Sequence, residues 1–250
     1  MINLQRRMVL GGAAAWAISY GLGHATDDDG SDLDAALNEA INSNSSLTLG
    51  RIIPPPTDIS WVETRRILSR APRGTTPYEV ASYFVEAVPP EYQMAWPEPN
   101  PAHPTFANPV ILSFFLKTHT TPAGDTTPWC AAFMNWCLWR SGCPQTGKAN
   151  AVSFLKWGKP VWKLADGGMP VGAKTGDVAV FRNQRNPAHG HVAFFVEISK
   201  KVDKRIDVLG GNQISRINKQ KLHLIQQKTM RVDGDLQLVA IRTMDGLRTG

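Results

Sequence analysis

The order of two periodic patterns limits the folds open to this chain more than any other feature. In the first part of the chain, apolar residues recur at helical spacing, which predicts helices over residues 110–117 and 129–141 and the core of a third at 154–157. From residue 177 onward the pattern alternates, as in strands. Helices followed by strands predict an α+β fold, with helices packed on an antiparallel β-sheet. The predicted strands are residues 177–181, 191–198, 206–209 and 236–243.

The region before residue 75 carries weaker patterns. Residues 33–41 and 61–69 each place apolar side chains three and four positions apart, so we predict two short helices. The proline triplet at 54–56 separates them, because proline breaks a helix. We therefore expect residues 26–74 to be a mostly helical or irregular N-terminal extension, or a linker.

A second proline-rich segment covers residues 89–109. Proline lacks the backbone N–H that helices and sheets need, so this segment is predicted to be an irregular connection on the surface. We expect residues 75–250 to form the main domain, with its core between residues 108 and 242.

The first 25 residues resemble an export signal. Arg6 and Arg7 precede an apolar stretch over residues 8–22, and the small residues at 23–25 provide a cleavage site. The arginine pair followed by apolar residues is similar to the twin-arginine pattern of bacterial signals. We predict an exported protein, periplasmic or extracellular, with no stable membrane span after cleavage. An uncleaved N-terminal anchor is the alternative.

The charge balance is basic but mild. The chain has 27 Lys and Arg against 21 Asp and Glu, a formal charge of +6. Removing residues 1–25 takes away two arginines and no acid, which leaves +4. This balance favours anionic partners such as wall polymers. Since no cluster of Lys and Arg alternates with aromatic residues, we predict no nucleic-acid partner.

Cys130 is the candidate nucleophile. It follows Thr127, a suitable N-cap, and Pro128, a suitable first helical residue, which would place the thiol in the first turn of a helix. Unpaired backbone N–H groups and the positive end of the helix dipole stabilise a thiolate there, so we expect a lowered pKa and donors for an oxyanion. A buried structural cysteine is the alternative.

The other two cysteines have no comparable position. Cys137 lies seven residues beyond Cys130, a rise of about 10 Å along a helix, so these two cannot form a disulfide. Cys143 follows in a turn, and whether it bridges to Cys137 is left open. Neither a Cys-x-x-Cys pair nor a matching His pair occurs, so we predict no metal site and no cofactor.

His191 is the candidate base. It begins the most apolar strand, where alternation puts His191, Ala193 and Phe195 on one face. Ala193 leaves room for a helix to approach. His189 belongs to a turn and is expected to be solvated, so it is the weaker candidate.

Asn212 follows the next predicted strand, after Gly210 and Gly211. Alternation from Ile206 would aim it at one face, where its carbonyl could accept the imidazole N–H and fix the tautomer. A plain Gly-Gly-Asn turn is the alternative.

Four blocks carry a family resemblance. They read PWCAAFMNWC from residue 128, GDVAVF from 176, GHVAF from 190 and VLGGNQ from 208. In this order they are similar to the CHAP and NlpC families of papain-like cell-wall cysteine amidases and peptidases, in the bacterial and phage branch. The resemblance covers residues 108–242. One departure is Gly210, where many CHAP domains have a glutamate.

The resemblance implies a catalytic triad of Cys130 as nucleophile, His191 as base and then acid, and Asn212 as orienting residue. It also implies peptidoglycan as the substrate, through a thioester intermediate. We expect cleavage within the peptide stem, and the alternative is the amide that joins the stem to the sugar. A non-catalytic wall-binding module is the other function class. Three tryptophans near the proposed site are candidates for substrate binding: Trp129, Trp136 and Trp157.

Overall fold

The fold was obtained as a computed structural model, which describes residue 37 and residues 53–55, 57–96, 106–217, 219–245 and 247. The predicted export signal lies outside these residues. So does the predicted helix at 33–41, except for Leu37, which is helical and buried.

Four α-helices lie in the described residues before the sheet. Each of the first three is capped at its start by a side chain that accepts a hydrogen bond from a backbone N–H. The capping residues are Asp58, Thr76 and Asn108. The fourth helix carries Cys130 at its first position. The helices are α1 (Ile59–Arg70), α2 (Pro77–Glu86), α3 (Pro109–Phe114) and α4 (Cys130–Arg140).

A six-stranded antiparallel sheet follows the helices. Its strand order is β1-β6-β2-β3-β4-β5, so β3 and β4 are interior strands and β1 and β5 are the edges. The strands are β1 (Lys159–Lys163), β2 (Val178–Asn183), β3 (Gly190–Ile198), β4 (Arg205–Ile217), β5 (Gln220–Arg231) and β6 (Leu236–Thr243).

The sheet has an apolar core on each face. On one face, apolar side chains of the four helices form one cluster with side chains such as Val192 and Phe194 of β3. On the other, a smaller cluster includes Ala193 and Phe195 of the same strand. Successive residues of a strand point to opposite faces, so an apolar strand serves both cores. The predicted α+β fold, with helices on an antiparallel sheet, is confirmed.

The structure adds three elements to the prediction. The helix α2 has a clear signal in the sequence, because Thr76 and Glu79 form a capping box and Pro77 occupies the first turn. The strands β1 and β5 are edges with half-exposed side chains, so they lack the apolar runs of interior strands.

The second half of the predicted extension is part of the main core and is not a linker. Trp61, Ile67 and Leu68 of α1 are buried in the same cluster as α4. The buried Arg140 of α4 donates hydrogen bonds to the carbonyl oxygens of Ser69 and Ala71 at 2.7–3.0 Å. A charged donor thus satisfies carbonyls at the end of α1 that have no partner within the helix.

The described ends of the proline-rich segment are held to the domain. The bridge between Met94 and Leu224 covers the outer edge of β5. The buried carboxylate of Asp125 accepts the backbone N–H groups of Trp96 and Asn108, each at 2.8 Å. Asp125 therefore ties both ends of the segment to the loop before Cys130.

No helix among the described residues combines the length and apolar character required to cross a membrane.

Replacing Arg140 by methionine tests whether α1 belongs to the core. We expect a loss of about 2–3 kcal/mol in the free energy of unfolding, because two carbonyl oxygens lose a charged donor. Urea unfolding measures it. The control is Arg66→Met on the outer side of α1, which removes an exposed ion pair with Glu63 and is expected to have a much smaller effect. Equal effects of the two substitutions would contradict this account.

Candidate active site

Cys130 stands at the first position of α4, so the helix begins two residues later than an N-cap at Thr127 would give. The N-cap is Trp129, whose side chain makes no capping hydrogen bond. Thr127, the predicted N-cap, accepts the N–H of Ala123 instead. The first backbone N–H groups of a helix have no partner within it, so the thiol still lies among free donors.

Backbone N–H groups from two elements surround the thiol. Those of Cys130 and Ala131 come from the start of α4, and that of Val192 comes from β3. The pairing of β3 with β4 runs from Phe194 to Ile198, so Val192 precedes the first pair. A strand N–H lies in the plane of the sheet, so this contact brings the thiol from the helix side to the level of β3, beside the residue that follows His191. By alternation His191 shares the other face with Ala193.

Burial, and not the helix terminus, decides the acidity of Cys130. The side chain is only 3% exposed. Burial raises the pKa of the thiol, and the three N–H groups offset this only in part. The expectation of a lowered pKa is therefore wrong for this structure, and Cys130 is a neutral thiol at pH 7.

His191 is buried at the start of β3, with its ring 6.2 Å from that of Phe181. Its Nε2 atom is enclosed and has no hydrogen-bond partner. Burial, and then the positive charge of Lys228, lowers the pKa of His191 to about 4. The imidazole is thus neutral at pH 7 and can accept a proton.

Asn212 has a different partner from the one predicted. Its Oδ1 accepts a hydrogen bond from Nδ1 of His223 on β5 at 2.6 Å. A bulge between Gly210 and Gln213 interrupts the alternation of β4, and Asn212 adopts a positive φ of 56° within it. The assumption of an unbroken period-two strand from Ile206 to Asn212 is therefore wrong.

The three tryptophans predicted to bind substrate are core residues. Trp129 and Trp136 are 0% exposed and Trp157 is 7% exposed. The ring of Trp129 lies against Gly211, where a Cβ atom would stand 2.3 Å from it. Trp129 thus fills the space between α4 and β4, and all three rings are too buried in this structure to contact a substrate.

The remaining predicted residues lie as follows. His189 is exposed in its turn, as expected of the weaker candidate base. Cys137 and Cys143 form no disulfide bond with each other. Within the described part of the chain, no cluster of His, Cys, Asp or Glu could hold a metal ion.

Two polar residues of this region, His223 and Gln213, were not predicted to belong to the site. His223 lies in β5, an edge strand that was not predicted, and forms a hydrogen bond with Asn212. Gln213 is only 2% exposed, and its Oε1 has no hydrogen-bond partner. Gln213 stands directly after Gly-Gly-Asn in the sequence, but in a regular strand without the bulge its side chain would lie on the face opposite to that of Gly210.

Comparison with protein families matches residues 122–212 to the CHAP domain. This part of the chain is therefore similar to CHAP domains. Cys130, His191 and Asn212 all lie within the matched range. CHAP domains are generally hydrolases that act on peptidoglycan, as amidases or peptidases. Comparison with curated proteins and with solved structures gave no match.

Because burial raises the pKa of Cys130, we predict that alkylating reagents label this thiol slowly at neutral pH and faster at alkaline pH. Only the thiolate attacks iodoacetamide, and a raised pKa keeps Cys130 as a thiol at neutral pH. We expect the labelling rate at Cys130 to stay below that of a cysteine peptide at pH 7 and to rise about tenfold per pH unit through pH 9. Mass spectrometry of the labelled peptide, with Cys130→Ala as the control, measures it. Fast labelling that is already constant below pH 7 would show a preformed thiolate.

Proposed function

We propose that this protein is a cysteine hydrolase that cleaves an amide bond of peptidoglycan, with Cys130 as nucleophile and His191 as base. One observation carries the proposal. A single thiol lies at the start of a helix, among the N–H groups of Cys130, Ala131 and Val192, beside the strand start that bears a buried neutral histidine. An ordinary buried cysteine such as Cys137 has no such donors.

Acylation begins with a neutral pair. His191 takes the proton from Cys130 as Sγ attacks the carbonyl carbon, and a C–S bond forms. The carbonyl oxygen becomes an oxyanion, which the backbone N–H of Cys130 stabilises at the helix start. The C–N bond then breaks, His191 returns its proton to the leaving amine, and a thioester remains on Cys130.

In deacylation, water takes the place of Cys130 as the nucleophile and the Cys130 thiolate becomes the leaving group. His191 takes a proton from water, and the hydroxide formed attacks the thioester carbon. The C–S bond breaks, the thiolate recovers the proton, and the released product carries a carboxyl group. One water is consumed for each amide cleaved, and no cofactor takes part.

A graded series of variants tests the assignment. Cys130→Ala and His191→Ala are each expected to lower the release of fragments from purified peptidoglycan to near background, because each removes a reacting atom. Cys137→Ala is the matched control. It removes a buried thiol from the same helix and should reduce stability while folded protein keeps its turnover.

Two outcomes would count against the assignment. Turnover at the wild-type rate by folded Cys130→Ala would exclude Cys130 as the nucleophile. Equal losses from His189→Ala and His191→Ala would leave the base unassigned, because His189 is exposed in the turn before β3.

We propose that the bond lies within the peptide stem. A papain-like thiol attacks an acyl carbon in an extended, accessible chain, and a short stem on an anionic sugar polymer offers one to a mildly cationic protein. The buried tryptophans lend no support, so the proposal rests on charge and accessibility. The amide that joins the stem to the sugar is the alternative and would use the same chemistry.

The products identify the bond. Mass spectrometry of digested wall is expected to show shortened stems with a new amine, since the C–N bond of a stem amide is broken. Sugar chains stripped of whole stems would mean an amidase. New reducing sugar ends would contradict the mechanism, because a thiol of this kind acts on acyl carbons.

Export is proposed from residues 1–25 alone. The small residues at 23–25 place the cleavage site before Thr26, so exported protein is expected to begin at or near Thr26. N-terminal sequencing of exported material measures this. Membrane-bound protein that still begins at Met1 would favour the anchor.

A further inference from the structure

Two enclosed polar atoms near the candidate base have no partner. One is Nε2 of His191, and the other is Oε1 of Gln213. Both side chains are over nine-tenths buried, at 7% and 2% exposed. A buried polar atom without a hydrogen bond is costly, so each is expected to be used at some stage of the protein's activity.

The bulge in β4 turns Gln213 toward the face of the sheet that bears His191. Gly210 faces Ala193, since a Cβ on Gly210 would lie 2.8 Å from the Ala193 Cβ. His191 is two residues from Ala193 and shares its face. The two residues within the bulge oppose only one residue on β5, so Gln213 returns to the face of Gly210. The same virtual Cβ lies 3.5 Å from Nε2 of Gln213, which places that amide on this face.

The hydrogen bonds of Gln213 fix which end of its amide is free. Its Nε2 donates to the backbone oxygen of Gln226 at 2.8 Å and to that of Val208 at 3.5 Å. The nitrogen is therefore committed to the backbone of β4 and β5. The oxygen remains as an acceptor.

Neighbouring positions of β4 are less suited to orient His191. Gly210 has no side chain, and Ala193 leaves no space for one. Asn212 already accepts the N–H of His223. Gln213 thus offers the unengaged acceptor on this part of the strand.

We propose that Oε1 of Gln213 accepts a hydrogen bond from Nε2–H of His191 in the active enzyme and is the residue that orients the base. This bond would fix the tautomer with Nδ1 free to take the proton of Cys130. It holds the imidazole in place through a neutral amide. Gln213 is a positioning residue in this account, which rests on the proposed hydrolase function.

The charges around His191 set the expected effect of a carboxylate at this position. The positive charge of Lys228 acts on the imidazole from β5, and the neutral thiol of Cys130 lies at the backbone N–H of Val192, the next residue along β3. A glutamate at 213 keeps an acceptor oxygen and adds a negative charge, which favours the imidazolium. Leucine keeps the approximate size of the side chain. Both substitutions remove the Nε2 donor to Gln226, and only leucine also removes the acceptor oxygen.

Kinetics of folded variants on purified peptidoglycan test the proposal. Gln213→Leu is expected to lower kcat about 10- to 100-fold with KM nearly unchanged, because the base loses its orientation. Gln213→Glu, which loses the same Nε2 donor as Gln213→Leu, should retain more of kcat than Gln213→Leu and move the acidic limb of the pH profile upward by about one unit. The matched control is Gln227→Leu on the exposed side of β5, which is expected to leave kcat unchanged. Asn212→Gly, in which glycine tolerates the positive φ, should lower kcat less than Gln213→Leu does.

A measurement without turnover separates this proposal from the hydrolase function. In a Cys130→Ala background, NMR titration of the His191 imidazole should show a higher pKa with Gln213→Glu than with Gln213, and no change with Gln227→Glu. An unchanged His191 pKa in Gln213→Glu, or a greater loss of kcat in Asn212→Gly than in Gln213→Leu, would overturn the role of Gln213. If peptidoglycan is not cleaved at all, the hydrolase function fails and the titration still decides the pairing.

Discussion

Gly211 allows the indole of Trp129 to lie directly against β4, and the placement of the candidate site depends on this contact. A side chain at 211 would collide with the ring and with Phe133, one turn further along α4. Because Trp129 is the N-cap and Cys130 is the next residue, the depth of this ring in the core sets how far the thiol reaches into the sheet. The hydrogen bond from the N–H of Val192 to the thiol depends on that depth.

The same burial determines the electrostatics. A helix start favours a thiolate, but burial destabilises the thiolate of Cys130 more than the three backbone N–H groups stabilise it. The pKa of the thiol is therefore raised. Burial acts on His191 in the opposite direction and lowers its pKa. Both groups are therefore neutral at pH 7. In the proposed mechanism the proton moves from Cys130 to His191 as the C–S bond forms, so the orientation of His191 is essential to that mechanism.

Sequence patterns were informative where a local rule controls the structure. Helical spacing located α4, and the apolar run from His191 located β3, because both elements bury a regular set of side chains. The patterns failed at Asn212, where one extra residue in β4 reverses the face on which the next side chains lie. They also failed for Trp129, Trp136 and Trp157, since a local pattern does not tell a ring that binds substrate from one that fills a core. The acidity of Cys130 could not be predicted either, because the helix position is local and the enclosure comes from the sheet.

The most direct test of the account is to trap the acyl-enzyme. Peptidoglycan fragments are mixed with the wild-type protein, the reaction is quenched in acid within its first turnovers, and the intact protein is analysed by mass spectrometry with peptide mapping. The account predicts an added mass equal to the acyl part of the substrate, linked to Cys130, sensitive to hydroxylamine and absent from Cys130→Ala. Continued release of product with no adduct under any quench time, or an adduct on another residue, would contradict a thioester on Cys130.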